Sequence, residues 1–361
     1  MSEASDPGLK HHAMTAVRQN LSVFHPLPAL YPLPVLAAIL IGGLAMGEPG
    51  GTLLAAGGAF SAGFGAFQRV SRFQIAPILL SALCMALATA LGTALSAHLP
   101  LYILAVAAGA ATLGLAASFG TGPWWVLLQG AIFLVISGAL PADLHEAIAR
   151  AVVVLGGGVA QGVVVAILRR LFPAGFPAIT APGATPPPDS HAAWRAKAAE
   201  VFRFDAPEVR YALLLGAATA GAELIARRLG LGHGYWMAMT VLLVLRRGGS
   251  ETVIRGLQRI AGTLVGAGLA TLALAVLQPH GAALIALLLA AAWCAYALQW
   301  VNYGTFSASV TTYIAFLFSL EGLPEAQVAI QRVEATLLGG ILGMAALGLA
   351  RLGGRAARFR F

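Results

Sequence analysis

Charge is what this sequence has least of. Only 10% of its 361 residues are Asp, Glu, Lys or Arg, against roughly 25% in a typical soluble domain. Lysine is almost missing, with Lys10 and Lys197 alone, so the formal net charge of +8 rests on arginine. Cysteine is scarce as well. Cys84 and Cys294 each sit inside an apolar run, which excludes a disulfide framework and a thiolate metal site and leaves them as small packing residues. The eight histidines fall in tails, in loops or near the ends of apolar runs, none at ligand spacing from Cys, Asp or Glu. No Gly-x-x-x-x-Gly-Lys-[Ser/Thr] loop and no catalytic constellation occurs, so the expectation is a non-enzyme without cofactor or metal that does not drive transport with ATP by itself. No basic stripe interleaved with aromatics points to nucleic acid; anionic lipid headgroups suit the arginines better.

What remains is apolar. Hydrophobic residues make up 59% of the chain, and the mean hydropathy is +0.83. The expected fold class is an all-α polytopic membrane protein. About 20 apolar residues cross a bilayer core, and on that measure candidate spans lie at 32–47, 50–67, 75–97, 100–119, 123–140 and 147–168, then at 211–229, 234–246, 259–277, 281–300, 304–320 and 327–350. The first two are short and Gly-rich, which suits tilted, broken or re-entrant helices. No cleavable signal segment is visible, and residues 1–30 read as a cytoplasmic tail. Residues 31–171 then form a first six-helix bundle. Residues 172–207 form a linker, in which Pro186, Pro187 and Pro188 forbid a helix and His191 to Phe204 reads as a short amphipathic segment with Trp194 near the interface. Residues 208–350 form a second six-helix bundle, and 351–361 a basic cytoplasmic tail.

With the N-terminus inside, eighteen of the twenty-two Lys and Arg residues fall on the inner side. Only Arg150, Arg227, Arg228 and Arg332 fall outside. That bias predicts twelve spans with both termini cytoplasmic. The halves echo each other. Each sixth span follows an acidic outer loop (Asp143 and Glu146; Glu321 and Glu325), then an arginine (Arg150; Arg332), then glycines four apart (Gly158 and Gly162; Gly339 and Gly343), the glycine pairs one residue out of step. Six spans per half predict two parallel repeats related by an axis along the membrane normal.

The densest signal is Gly232 to Gly268, GHGYWMAMTVLLVLRRGGSETVIRGLQRIAGTLVGAG. It resembles the signature of the fusaric acid resistance (FUSC) membrane family: a Tyr-Trp pair opening one helix (Tyr235, Trp236), a threonine soon after (Thr240), then Arg-x-x-Gly-Thr-x-x-Gly opening the next (Arg259, Gly262, Thr263, Gly266). The similarity extends over about 205–350, including Asn302-Tyr303. The first half lacks the Arg-x-x-Gly-Thr motif; its counterpart reads QRVSRFQIAPILLSAL. The family's better-known exporters also carry a large cytoplasmic domain, where this chain has the Pro-rich linker. The resemblance implies efflux or permeation of organic anions, as in aromatic carboxylic acid exporters of the bacterial inner membrane and the related plant malate channels.

Individual residues admit two readings each. Arg259, one turn before Thr263, is either an anion ligand at the inner mouth or a topology-setting charge. Arg150 and Arg332, opening their helices on the outer side, either hold a departing anion or reach to headgroups. Glu223, taken as the one acid well inside an apolar run, is either a proton carrier or the ion-pair partner of Arg227. Thr305, Ser309, Thr312 and Ser319 share a helix face that either lines a polar path or hydrogen-bonds in packing, with Asn302 and Tyr303 at its cytoplasmic end. Trp236 and Tyr235 either anchor at the interface or stack on an aromatic substrate. The functional expectation is proton-coupled export of an organic, aromatic carboxylic acid, from Arg259 and Tyr303 along the hydroxyl face to Arg332, with Glu223 for coupling. A passive anion channel and a non-transporting scaffold are the alternatives. Lipids, the anion itself, and a periplasmic adaptor or a second copy of the chain are the expected partners.

Overall fold

The computed structural model describes residues 20–47, 49–70, 73–173, 190–201, 203 and 206–358. Lys10, Arg18, Arg72, Pro186 to Pro188, Phe202, Phe204 and Arg360 lie outside the described residues, and with them most of the expected N-terminal tail and linker. Among the described residues there are thirteen α-helices and no strand. They are α1 (Leu33–Met46), α2 (Pro49–Gly63), α3 (Ala76–Leu95), α4 (Leu99–Ala116), α5 (Thr121–Ser137), α6 (Leu144–Leu171), α7 (His191–Val201), α8 (Pro207–Arg228), α9 (Tyr235–Val244), α10 (Gly249–Leu277), α11 (Ala282–Leu298), α12 (Tyr303–Leu320) and α13 (Glu325–Arg358).

Local chemistry explains where many of them start. Pro34, Pro77, Pro100 and Pro207 sit in the first turns of α1, α3, α4 and α8, where a missing N–H leaves no hydrogen bond unmade. Asp143 caps α6 by accepting from the Glu146 N–H at 2.8 Å, and Asn302 caps α12 by accepting from the Gly304 N–H at 2.7 Å. Gly47, in the left-handed region at φ 68°, ends α1.

Seven helical stretches are long and apolar enough to cross a membrane: Pro28–Met46, Ala76–Leu95, Leu99–Ala116, Leu144–Leu171, Pro207–Arg228, Gly249–Leu277 and Ala326–Ala350. The chain is a multi-pass helical membrane protein. Each of the twelve expected spans has a helix, but α5, α9 and α11 are shorter apolar helices of 10–17 residues, and α2 has 15 residues. A count of twelve full crossings therefore does not follow from length. α9 has ten residues, about 15 Å of helix. Nearly all of them are buried, which a helix so short achieves by being surrounded. α10 begins at Gly249, not at residue 259, because the polar segment after Arg247 is itself helical. Arg255 and Arg259 thus lie inside the helix rather than at its mouth.

The packing has a regular plan. α3 lies against α5 and α6, and α10 likewise against α12 and α13; α2 lies against α6, and α9 against α13; α1 lies against α2, and α8 against α9. Across the halves α4 packs on α8 and α11 on α1. One apolar core joins α1 and α2 to α11 and α12, and the other joins α4 and α5 to α8 and α9, so each core draws on both halves. Phe60 of α2 stacks on Tyr313 of α12 at 3.9 Å between centroids, and the Tyr296 hydroxyl donates to the Phe60 carbonyl at 2.8 Å. The amphipathic α7 docks through Trp194, which stacks on Phe119 at 5.1 Å.

Glycine sets the closest approaches. A Cβ at Gly262 would meet the Gly304 carbonyl and lie 2.8 Å from Ser307 Cβ; one at Gly266 would lie 2.9 Å from Thr311 Cβ. α10 therefore presses directly on the turns of α12 that carry Ser307 and Thr311. A Cβ at Gly268, on the same helix, meets nothing within 4 Å. Gly262→Ala is expected to destabilise the protein by about 1–3 kcal/mol through overpacking, while Gly268→Ala leaves it unchanged; thermal unfolding of the two variants in detergent checks the difference.

Candidate functional site

Two arginines are buried together in the second half. Arg259 of α10 and Arg332 of α13 are each 2% exposed. Arg259 Nη1 donates to Ser307 Oγ at 3.2 Å, and Arg332 Nε points at Thr311 Oγ1 at 3.4 Å. Ser307 and Thr311 are one turn apart on α12, so the two guanidinium groups occupy adjoining turns of one helix face. Arg332 also lies over the Trp236 ring, 4.9 Å from its centroid, a cation–π contact. Neither arginine forms an ion pair among the described residues.

Several polar atoms here have no hydrogen-bond partner among the described residues: Arg332 Nη1 and Nη2, Arg259 Nε, Thr263 Oγ1, Thr336 Oγ1 and Tyr303 Oη. Thr263 follows Arg259 by one turn of α10, and Thr336 follows Arg332 by one turn of α13. Buried polar groups are normally paired, and unpaired buried guanidinium is the costliest kind. Every one of these groups can donate a hydrogen bond. A layer of donors with positive charge and no internal carboxylate is chemically a receptor for an anion.

The loop before α9 positions this layer. His233 adopts the left-handed conformation at φ 53°, a strained state for a non-glycine residue. Its ring stacks on Trp236 at 4.9 Å, and its Nδ1 is 2.7 Å from Gln331 Oε1. That bond ties the loop to the residue before Arg332 and so registers the indole under the guanidinium. Gly339 brings α13 against α9, where a Cβ would sit 2.5 Å from the Met237 carbonyl.

The structure redistributes the residues singled out from the sequence. Arg259 and Arg332 do not mark opposite mouths; they share one layer inside the protein. Arg332 lies two turns into α13 rather than at its opening. Arg150 is instead paired with Glu146 at 2.9 Å and donates to the Leu140 carbonyl at 2.7 Å, with its side chain 20% exposed. Trp236 and Tyr235 are buried inside the protein. Thr240 is buried, donating to the Trp236 carbonyl at 2.8 Å. On α12 the expected hydroxyl face is occupied with backbone: Thr305 donates to the Asn302 carbonyl, Ser309 to the Thr305 carbonyl and Thr312 to the Gly266 carbonyl. The hydroxyls that meet the arginines are Ser307 and Thr311, on the other side. Asn302 serves as the cap of α12, and the Tyr303 ring lies beneath Arg255 at 4.9 Å.

Glu223 is buried, and its Oε1 accepts from Arg227 Nε at 2.9 Å. Arg227 also donates to the Gly138 carbonyl at 2.7 Å and covers the Tyr102 ring at 4.4 Å. This ion pair fastens α8 to α4 and to the end of α5, apart from the two unpaired arginines. Glu223 is not the one acid inside a span: Glu334 lies ten residues into α13, exposed. In the first half, Gly158 packs on Ala82 as Gly340 packs on Ile260, which puts Ser81 in the place of Arg259. Among the described residues, the arginines buried as whole residues, Arg246, Arg259 and Arg332, all lie in the second half.

The paired, half-buried Arg227 and the unpaired, buried Arg332 should respond oppositely to removal. Arg227→Met leaves Glu223 buried without its partner and is expected to cost on the order of 2–4 kcal/mol. Arg332→Met removes an uncompensated charge and is expected to leave the ligand-free protein as stable or more so. Thermal unfolding in detergent, without added organic anion, measures both.

Residues 218–346 match the family model described as fusaric acid resistance protein-like. That segment runs from within α8 into α13 and contains Trp236, Arg259, Ser307, Thr311 and Arg332. Over 133 residues the chain is 32% identical to "Uncharacterized protein YhfK" of Escherichia coli (strain K12), a match covering 37% of this chain and 19% of that protein. The chain thus spans less than a fifth of the length of that relative. No solved structure matches. Residues 218–346, which carry the arginine layer, are thus similar to the fusaric acid resistance protein-like family.

Proposed function

We propose that the chain carries organic anions across a bacterial cytoplasmic membrane, and that the layer of Arg259 and Arg332 is where the anion binds. The observation that carries this reading is the group of unpartnered donors around two uncompensated guanidinium groups. A protein that keeps such charge buried without an internal carboxylate leaves the compensating charge to a ligand. A carboxylate suits the free Arg332 fork, which offers two parallel N–H donors. Trp236, Tyr235 and Tyr303 beside it favour a substrate that is itself aromatic. Similarity to a family named for resistance to fusaric acid is consistent with export as the direction.

The architecture in this reading is two parallel six-helix repeats with both termini cytoplasmic. The matched packing of α1–α6 and α8–α13 supports it. So does a sequence offset of 182 residues that brings Arg150, Gly157 and Gly158 onto Arg332, Gly339 and Gly340. Gly157 packs on α2 as Gly339 packs on α9. The repeat supplies the frame, and the second half supplies the chemistry. The protein acts as a carrier and not as an enzyme, with lipids and the anion as its partners; a periplasmic adaptor or a second copy would complete an export route through the envelope. Proton-coupled export assigns the proton to Glu223; a passive channel needs no such group.

Efflux of radiolabelled 4-hydroxybenzoate from proteoliposomes, with and without a pH gradient, tests this. Arg259→Gln and Arg332→Gln are each expected to weaken the apparent affinity about ten-fold or more, the worth of a hydrogen bond to a charged group. A coupled carrier accelerates with the gradient and loses that response in Glu223→Gln, whereas a channel ignores it. Wild-type rates in both arginine variants would end the proposal.

A further inference from the structure

Arg255 stands one turn before Arg259 on α10, on the same helix face, and differs from it in having an acidic neighbour. Glu251, in the first turn of α10, places Oε1 3.5 Å from Arg255 Nε and 3.8 Å from Arg246 Nε. Both separations exceed a direct N–H···O bond, so the carboxylate is held by charge and not by hydrogen-bond geometry. The Glu251 side chain is 55% exposed and that of Arg255 30%, while that of Arg246 is 10% exposed. The guanidinium groups rest on aromatic faces: Arg255 over Tyr303 at 4.9 Å, Arg246 over Trp124 at 4.5 Å. An arginine pair that opens to solvent through Arg255 and Glu251 thus leads, one turn further along α10, to a dry one. The group that bridges the outer pair is a carboxylate, the same chemistry as the proposed cargo.

We propose that Glu251 is a tethered competitor at the way into the arginine layer: its carboxylate neutralises Arg255 and Arg246 when no anion is present and is exchanged for the anion's own carboxylate on the path to Arg259. This rests on the anion reading of Arg259 and Arg332. The tether gives Glu251 a high effective concentration, so a visiting anion must grip guanidinium better than it does. A carboxylate able to take both N–H groups of one fork does so, and a simple halide does not. Glu251 therefore sets both the strength of anion uptake and its discrimination against chloride. The looseness of the contacts matters, since a tight bidentate pair would block the way instead of regulating it.

The experiment is calorimetric titration of sodium benzoate into the full chain and into Glu251→Gln, Glu251→Asp, Arg255→Gln, the Glu251→Gln/Arg255→Gln double variant and Arg332→Gln. Glu251→Gln is expected to tighten benzoate binding about two- to five-fold, the scale of a partly exposed ion pair, and to make that binding more sensitive to added chloride. The gain should shrink in the Arg255→Gln background, and Glu251→Asp should return towards wild type, which a folding defect would not do. Benzoate affinity unchanged or weakened in Glu251→Gln, with binding still lost in Arg332→Gln, overturns the competitor role and leaves the anion site standing. Benzoate binding unaffected by Arg332→Gln, or absent from the wild type, overturns both.

Discussion

Two guanidinium groups without a counter-charge govern this structure. Taking an arginine out of water costs several kcal/mol even after relaxation, and Arg259 and Arg332 recover only part of that from Ser307, Thr311 and the face of Trp236. The surroundings must therefore hold them firmly. Gly262 and Gly266 let α10 lie against α12 so closely that Arg259 reaches a serine one helix away, and Gly339 lets α13 settle on α9 so that Arg332 covers the indole. The glycines and the arginines of the motif are thus one device: without the close approach the hydroxyls would be out of reach.

Symmetry of packing and asymmetry of chemistry coexist. Several helix pairs of the first half have a counterpart in the second, and Gly157 and Gly158 of α6 meet α2 and α3 as Gly339 and Gly340 of α13 meet α9 and α10. Yet the place of Arg259 is taken by Ser81 in the first half, and Arg150 spends its charge on Glu146 and a carbonyl at a helix end. The first half braces the second instead of duplicating its site. α4 packs on α8, Phe60 stacks on Tyr313, and the Glu223–Arg227 pair pins α8 against Tyr102 and Gly138. A charge paired with its opposite suits a seam, and an unpaired couple of cations suits a ligand.

Some of the site was written in the sequence and overlooked. Arg259-x-x-x-Thr263 and Arg332-x-x-x-Thr336 repeat one spacing, and Ser307-x-x-x-Thr311 has it again, each a one-turn step along a helix face. Thr305 and Ser309 bond to carbonyls one turn back on their own helix, and Thr312 bonds to the Gly266 carbonyl of α10. Hydroxyls in an apolar helix can satisfy themselves on nearby carbonyls, and helical spacing cannot tell those from hydroxyls that face an arginine. Trp236 is a similar case: tryptophan near the end of an apolar run is usually interfacial, and nothing local shows that α9 is a ten-residue helix buried along nearly its whole length.

From the residues alone came the membrane class, the order of the apolar helices, with α10 starting ten residues earlier than expected, and the arginines worth attention. These follow from composition and short-range periodicity, because apolar length and helical spacing are properties of a segment by itself. Tertiary structure decided what the arginines are for. Arg259 and Arg332 are 73 residues apart in the chain, and α10 and α13 enclose other helices between them in sequence, so their depth and their shared turns of α12 depend on packing. Whether a buried charge has found its counter-charge is a fact about neighbours in space. Glu223 and Arg227 found each other within one helix, and the two arginines of the second half did not.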